Sequence, residues 1–381
     1  MPDRINISTP SLGEAEWQAL REPLESGWLT QGPKVAEFEQ AFGSRHEAAH
    51  AIATTSCTTA LHLMLVSAGI GPGDEVIVPS FTWVATANAV VYTGATPVLA
   101  DVDPSTYNLC LKDVVRRVTP RTRAVIAVHL FGACVDIPAL QEALPDGVAI
   151  FEDAACAAGA SIGGKPAGSM GVAAAFSFHP RKTITTGEGG MLTTNGEELA
   201  STARKLRSHG AEISEEQRHY GDRPYLLPDF NLLGFNYRMT DLQAAVGIVQ
   251  LAKLDGFLRA RQAAADLYRR ELQSIDQLQM PSAPENGRHA WQAFVVRLLG
   301  KGGPAKRSEV MAELEARGIA TRPGTHAIHS LGYYSSTLSC TDGDLPGAAL
   351  CRDTTLAIPL HNAMDEHDYA RVVDAVKSAM S

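Results

Sequence analysis

The sequence lacks long apolar runs, closely spaced cysteines and clusters of basic residues. A membrane-spanning helix needs about 20 consecutive apolar residues, so no membrane association is expected. The six cysteines include no Cys-x-x-Cys pair, and we interpret them as free, mostly buried thiols in a reducing cytoplasm. The N-terminus has no charged segment followed by an apolar one, which argues against a secretory signal and favours the same compartment.

Positive charge is also scarce: the formal net charge is -9 at pH 7, and the Lys and Arg residues are scattered. Because a phosphate backbone requires a basic footprint, no nucleic-acid partner is expected. A small anionic ligand is compatible with this balance, since a few local donors can hold it. The 381 residues are 45% hydrophobic and 20% charged, which is typical of a globular protein with one large and one smaller domain.

Short apolar segments alternate with longer amphipathic ones between about residues 35 and 250. The apolar segments are rich in Val, Ile and Ala without alternation, which is typical of strands buried on both faces. This pattern predicts an α/β fold, with a three-layer α/β/α large domain around a mostly parallel sheet. The predicted strands are 51–54, 75–79, 96–100, 124–129, 148–152 and 173–178, and the predicted helices are 59–68, 82–92, 111–118 and 137–144.

The pattern changes after Asn236, where a long helix is predicted. We therefore predict a large domain at 1–250 and a smaller C-terminal α+β domain at 251–381. The elements predicted in this part are a helix at 239–272, a strand at 292–299, a helix at 308–317, a loop at 322–334 and a terminal helix at 366–380.

Polar residues follow several predicted strands, and ligands of open α/β sheets bind at the carboxyl ends of strands. His129 and Glu152 are two of these residues, and Ser56, Cys57 and Thr58 stand at the first strand-to-helix junction. The N–H groups of a helix N-terminus can bind a phosphate. Ser and Thr are also preferred as plain helix caps, so the junction alone leaves both interpretations open.

Asp153 ends the fifth predicted strand among Ala and Cys residues. A desolvated carboxylate ionises only if a cation faces it, and the pyridinium nitrogen of pyridoxal phosphate is such a cation. A capping or ion-paired Asp is an equally good interpretation of this segment.

Lys182 follows the sixth predicted strand in a loop rich in Gly and Thr. Burial and a nearby cation would lower its pKa and provide a nucleophilic amine for Schiff-base formation. The glycines at 187, 189 and 190 would allow the backbone to approach a cofactor closely. An exposed lysine is the alternative that this pattern leaves open.

These residues belong to an ordered set of motifs that runs along nearly the whole chain. The set resembles the DegT/DnrJ/StrS family of sugar aminotransferases, whose fold is the aspartate-aminotransferase type (pyridoxal-phosphate-dependent transferase fold type I). The motifs are Gly27-Trp28-Leu29-Thr30 with Gly32-Pro33 and Glu37-Phe38-Glu39, Ser56-Cys57-Thr58-Thr59-Ala60-Leu61, Pro79-Ser80-Phe81-Thr82-Trp83-Val84-Ala85-Thr86, Glu152-Asp153-Ala154-Ala155, Phe176-Ser177-Phe178-His179-Pro180-x-Lys182, Thr186-Gly187-Glu188-Gly189-Gly190 and Gly234-Phe235-Asn236-Tyr237-Arg238-Met239.

The resemblance implies a pyridoxal 5'-phosphate cofactor bound by Lys182, which also moves a proton between substrate and cofactor. It further implies that Asp153 pairs with the pyridine nitrogen and that Trp83 stacks on the ring. The phosphate contacts that it implies come from Ser56, Cys57, Thr58 and Ser177, and from Asn236 of the neighbouring subunit in a homodimer with shared active sites. The substrate contacts that we predict on this basis are Thr30, Glu188, Arg238, His326 and His329.

One departure from the family pattern concerns the cofactor's phenolic oxygen. The family usually has Gln or His at position 156, whereas Cys156 is a much weaker donor, so this expected contact is weakened. His326 and His329 would suit a metal, but no third ligand is apparent in the sequence, and no metal site is predicted.

The function that the resemblance implies is transfer of an amino group, usually from glutamate, to a keto carbon of a nucleotide-linked sugar or another keto-carbohydrate. Such a reaction serves amino-sugar and polysaccharide biosynthesis. A deoxysugar dehydratase would share fold and cofactor, but relatives of that type have His where this chain has Lys182. A non-catalytic regulator would need a DNA-binding motif or a basic surface, and neither is visible in the sequence.

Overall fold

A computed structural model describes residues 4–213, 219, 221, 225–284 and 286–380. Within them the helices are α1 Glu14–Ala19, α2 Arg21–Ser26, α3 Pro33–Arg45, α4 Cys57–Ser67, α5 Ala85–Tyr92, α6 Leu111–Arg117, α7 Ile137–Ala143, α8 Glu197–Arg207, α9 Asp241–Leu272, α10 Gly303–Ala316, α11 Gly332–Thr337, α12 Pro346–Thr354 and α13 Glu366–Ala379. The strands are β1 His50–Thr54, β2 Glu75–Pro79, β3 Phe81–Thr82, β4 Thr96–Ala100, β5 Thr122–Val128, β6 Ala149–Asp153, β7 Ser161–Ile162, β8 Lys165–Pro166, β9 Ala173–Ser177, β10 Gly190–Thr194, β11 Leu278–Gln279, β12 Gly287–Arg288, β13 Phe294–Leu298, β14 His326–Ala327 and β15 Thr355–Ile358.

The central sheet has seven strands in the order β1-β10-β9-β6-β5-β2-β4. The pairs from β9 to β4 are parallel, and β10 lies antiparallel to both β1 and β9. All six predicted strands are present, each within two residues of its predicted bounds. Strand β10 was not predicted, because its short segment begins with glycine and directly follows a Gly/Thr-rich loop.

Helices cover both faces of this sheet, which gives the predicted three layers. On one face Ile52 and its neighbours pack against α4, α5 and α8. On the other, Ala51 and Ala53 pack against Phe38 and Phe42 of α3 and against α9. Successive side chains of a strand point to opposite faces, so uniformly apolar strands fill both cores at once.

A second core surrounds the three-stranded antiparallel sheet β11-β13-β15. Tyr268 of α9 is buried there together with residues of α10 and α13. Ile5 joins this core and pairs with Ile319. The predicted division after residue 250 falls inside α9 and stays a prediction. Within the described part of the chain, no helix is both long and apolar enough to cross a membrane.

Three predicted elements differ from the structure. The helix predicted at 82–92 begins only at Ala85, because Phe81 and Thr82 form β3 and pair with β14. The loop predicted at 322–334 therefore contains a strand, and a 3-10 turn follows it. The helix predicted at 308–317 begins earlier, at Gly303, with Pro304 in its first turn.

Candidate active site

A cavity of about 520 Å³ lies at the carboxyl ends of β5, β6 and β9, beside the N-terminus of α4. The topology places it where ligands of open α/β sheets bind. Of the predicted site residues, those that line this cavity are Ser56, Cys57, Thr58, Trp83, Asp153, Cys156, Ser177, Lys182 and Glu188.

The N-terminus of α4 offers unused hydrogen-bond donors to the cavity. Ser56 is the helix cap: its hydroxyl accepts from the backbone N–H of Thr59 (3.2 Å), and its own N–H donates to the Thr59 hydroxyl (3.0 Å). The next N–H groups, of Cys57 and Thr58, have no intrahelical acceptor. Ser56 therefore caps the helix, and the N–H groups of Cys57 and Thr58 remain free to bind a phosphate. The capping and the phosphate-binding interpretations of this junction are compatible.

Strand β10 runs directly behind this helix end. A Cβ at Gly190 would collide with the backbone of Ser56 and Cys57, so only glycine fits there. Burial, followed by the nearby Asp153 carboxylate, raises the pKa of the Cys57 thiol well above its usual range. The thiol therefore stays neutral and does not repel an anion at the helix N-terminus.

Asp153 is buried at the end of β6 and is oriented by two hydrogen bonds. The Thr86 hydroxyl donates to Oδ2 at 2.7 Å, and the backbone N–H of Ala155 donates to Oδ1 at 3.1 Å. Thr86 is itself fully buried in α5. No role was predicted for Thr86, although a hydroxyl residue in a predicted helix one turn after Trp83 is a signal that the sequence offers.

Glu152 points away from the cavity, because it precedes Asp153 in the strand. Its carboxylate accepts from His129 Nε2 (2.7 Å) and from the backbone N–H groups of Gly168 (2.8 Å), Met170 (2.9 Å) and Gly171 (2.7 Å). His129 and Glu152 were expected to lie with the other polar residues at the ligand-binding ends of the strands, and this expectation is wrong. They form a buried pair outside the cavity.

Lys182 lies in the loop between β9 and β10, with its Nζ 3.2 Å from the Sγ of Cys156. Burial alone lowers the pKa of the ammonium, but Cys156, Cys57 and Asp153 together outweigh it, so the pKa is raised. The prediction of a lowered pKa is wrong for the protein alone. The physical reason is that the Cys156 sulfur bonds to the amine and the Asp153 carboxylate lies nearby, which together favour the charged form.

The opposite side of the cavity is more open. Trp83 is 54% exposed, and its ring contacts the exposed His326 of β14 at a centroid distance of 5.6 Å. Neither His326 nor His329, both predicted substrate residues, is among the lining residues. His329 is buried and bonded to Ser80 (2.6 Å) and Asp342 (2.9 Å), so it holds its loop in place and does not face the cavity.

Three further predicted residues lie outside the cavity of their own chain. The carbonyl of Thr30 accepts from the N–H of Asp241 (3.0 Å), and the backbones of Asn236 and Arg238 form bridges with Ser208 and Thr54. Two arginines that the sequence analysis gave no role, Arg181 and Arg322, do line the cavity. The place of Arg181 directly before Lys182 is a signal that the sequence offers, whereas Arg322 reaches the cavity only through chain folding and no local motif marks it.

The arrangement fits the three functional groups of pyridoxal phosphate. The free N–H groups of Cys57 and Thr58, with the Ser177 hydroxyl nearby in the lining, suit a phosphate. The buried carboxylate of Asp153 suits a protonated ring nitrogen, and the amine of Lys182 suits an aldehyde.

Comparison with known proteins gives the same result. A family model described as DegT/DnrJ/EryC1/StrS aminotransferase family matches residues 10–377. The chain is 42% identical over 380 residues to the GDP-perosamine synthase of Caulobacter vibrioides, covering 99% of this chain and 98% of that protein.

Two solved structures are similar over nearly the whole chain. The aminotransferase TlmJ from Streptoalloteichus hindustanus has a TM-score of 0.90 and 33% identity, with 99% of this chain and 98% of that chain covered. The PLP-form of the putative sugar aminotransferase Spr1654 from Streptococcus pneumoniae has a TM-score of 0.92 and 26% identity, with the same coverage. The predicted fold class, pyridoxal-phosphate cofactor and transaminase activity are confirmed, and the chain belongs to the DegT/DnrJ/EryC1/StrS aminotransferase family.

Proposed function

We propose that this aminotransferase moves an amino group from glutamate to a keto carbon of a nucleotide-linked sugar, in amino-sugar biosynthesis. The observation that carries the proposal is the convergence of Lys182, Asp153 and the free N–H groups of α4 on one cavity. Pyridoxal phosphate, when bound, supplies the electron sink for the carbon that loses or gains a proton.

Each residue has a definite task in this proposal. The Nζ of Lys182 takes the proton from the donor carbon and later returns one to the acceptor carbon. Asp153, oriented by Thr86, keeps the ring nitrogen protonated. The N–H groups of Cys57 and Thr58 and the hydroxyl of Ser177 hold the phosphate.

A sugar acceptor is supported by the relatives and by the cavity lining. The protein with 42% identity is named GDP-perosamine synthase, and another with 40% identity is a spore coat polysaccharide biosynthesis protein. Beyond the lysine, the lining includes the polar side chains of Ser8, Glu188, Gln292 and Thr325. Such side chains can bond to sugar hydroxyls, and Trp83 offers an apolar face.

A homodimer with shared sites is part of the proposal. Tyr225, Leu227 and Leu233 are 77%, 85% and 93% exposed, and Leu226 and Phe230 beside them are also exposed. A monomer rarely leaves so many large apolar side chains in water. This apolar segment precedes Asn236 and Arg238 in the chain, so a second copy that covers it would meet both residues. We assign Asn236 to the partner's phosphate and Arg238, with Thr30, to the partner's substrate.

The proposed location is the cytoplasm. Six unpaired cysteines, two of which (Cys57 and Cys156) line the cavity, suit a reducing compartment.

The test is to incubate the purified protein with pyridoxal phosphate, glutamate and a panel of nucleotide-linked ketosugars, and to measure 2-oxoglutarate and the aminated sugar. We expect product with at least one sugar and none with Lys182→Ala. A protein that binds the cofactor but turns over no member of the panel would contradict the proposal.

The shared site has its own test. Asn236→Ala and Lys182→Ala are each expected to be nearly inactive, and mixed dimers should regain part of the activity, since one of their two sites carries neither change. If mixing the two variants restores nothing while exchange of subunits is verified, the sites are not shared.

A further inference from the structure

Two arginine side chains in the cavity have no anionic partner. Arg181 directly precedes Lys182, and Arg322 forms a backbone bridge with Ala357 at the edge of β15. Within the described ranges, neither guanidinium has a carboxylate oxygen within 4.0 Å or a hydrogen bond to another protein group. Arg181 is exposed and Arg322 is partly buried. By contrast, Arg117 is held by Asp113, Arg207 by Glu39 and Arg261 by backbone carbonyls.

The absence of a counter-ion has an electrostatic cost. Burial, and next the positive charge of Arg181, lower the pKa of Arg322 from its usual value. Of the carboxylates that line the cavity, Asp153 is engaged by Thr86 and Ala155, and Glu188 makes no ion pair with either arginine. Two like charges in a partly desolvated cavity favour the binding of an oxyanion, which a guanidinium can hold through two parallel hydrogen bonds.

We propose that Arg181 and Arg322 form an anion subsite that binds a carboxylate or phosphate group of a substrate. The inference rests on the proposed function, in which two anionic substrates, an amino acid and a nucleotide-linked sugar, use the same cavity in turn. The pair is thus a part of the substrate site, and the cofactor phosphate has its own donors at α4.

The position of the pair favours the carboxylate of the amino donor. Arg181 directly precedes Lys182, and Arg322 lines the same cavity as the Lys182 amine. In an amino acid the carboxylate is one bond from the carbon whose proton is removed. In a nucleotide-linked sugar, by contrast, the sugar ring separates the diphosphate from the keto carbon.

The experiment measures anion binding and the two half-reactions separately on the holoenzyme. Succinate and inorganic phosphate are titrated as unreactive probes, with the absorbance of the bound cofactor as readout. The donor arm mixes the pyridoxal-phosphate form with glutamate, and the acceptor arm mixes the pyridoxamine-phosphate form with the nucleotide-linked ketosugar. The variants are Arg322→Ala, Arg322→Lys and Arg181→Ala. Arg123→Ala, at an exposed position of β5, is the control.

We expect Arg322→Ala and Arg181→Ala to weaken succinate binding roughly tenfold or more, and to raise the glutamate concentration for half-saturation by a similar factor. Arg322→Lys keeps the charge without the planar fork and should lie between wild type and alanine. A loss confined to phosphate and to the acceptor arm would support the subsite and identify the diphosphate as its ligand.

The inference is overturned if both alanine variants, with cofactor bound as in wild type, keep both probe affinities and both half-saturation concentrations within twofold. Failure of the proposed function is a distinct outcome. In that case the wild type itself completes the donor arm but aminates no sugar, while the donor arm still tests the arginines.

Discussion

The two halves of the cavity differ in how their polar groups are held. In the cofactor half, Asp153 and Ser56 are fixed by hydrogen bonds from buried or capping neighbours, and Gly190 lets a strand back the helix end. In the substrate half, Arg181 and Arg322 have no such partners among the described residues. A ligand that is always present is best served by a preorganised site. Substrates that exchange need charges that are free to engage them.

Because the two halves hold different ligands, substitutions in each half should affect a different binding step. Substitutions in the cofactor half should change cofactor retention, whereas those in the substrate half should change saturation by substrates and leave retention intact.

Lys182→Ala should have the largest effect. Loss of the amine removes the proton carrier, and transamination is expected to fall by at least about 10²–10⁴-fold. Borohydride treatment followed by peptide mass analysis should find the cofactor on residue 182 in wild type and nowhere in the variant. Lys165→Ala, which removes an exposed lysine of β8, is the control and should keep both properties. A labelled peptide elsewhere in wild type would contradict the assignment.

Asp153→Asn should come next, since it replaces a buried charge without changing the shape of the side chain. Removing one member of a buried charge pair costs about 2–5 kcal/mol, so the cofactor dissociation constant should rise at least about 30-fold. The measurement is equilibrium dialysis of the cofactor. Retention equal to wild type would mean that this carboxylate does not face the ring nitrogen.

Thr86→Val should have a smaller effect of the same kind. The hydroxyl donates to Asp153 at 2.7 Å, and a hydrogen bond to a charged group contributes about 1.5–3 kcal/mol. We expect cofactor affinity to fall roughly tenfold, whereas Thr86→Ser should retain it. If Val and Ser behave alike, Thr86 has only a packing role.

Trp83→Leu should have the smallest effect, because the ring stands at the border of the two halves and is 54% exposed. Aromatic stacking contributes about 0.5–1.5 kcal/mol beyond burial, which is roughly a two- to tenfold loss of cofactor affinity. Trp83→Phe should recover most of it. A larger loss of substrate saturation than of cofactor affinity would move Trp83 into the substrate half.

The cofactor half could be predicted from the sequence because its residues occupy strand ends and a helix cap, which local patterns reveal. Lys182, Asp153 and Ser56 each stand next to a segment whose apolar run predicts a buried strand. What could not be predicted depends on distant pairings. Thr86 and Asp153 are hydrogen-bonded although they are 67 residues apart in the sequence, and His329 and Ser80 are bonded although they are 249 residues apart. The second bond explains why His329, predicted to contact the substrate, holds a loop in place instead.

In the substrate half, Glu188 was predicted and lines the cavity, but Arg322 was not predicted, for a related reason. Arg322 reaches the cavity because its backbone pairs with Ala357, and nothing in the neighbouring sequence indicates this contact. The raised pKa of Lys182 also depends on which groups surround it in space. Local sequence suggested a cation, whereas the folded chain supplies thiols and a carboxylate.

The antiparallel strand β10 has a consequence for the chain segment that carries the lysine. Ser177 and Gly190 are directly opposite each other in the ladder, so the twelve residues between them leave and re-enter the sheet through one pair of neighbouring positions. The two ends of this segment are therefore only about 5 Å apart. Its middle is also tied to the rest of the fold, since Ile184 is buried in the core beside α9 and the N–H of Thr185 donates to Gln250 of that helix. The lysine therefore lies in a segment that the sheet holds at both ends and α9 holds in the middle.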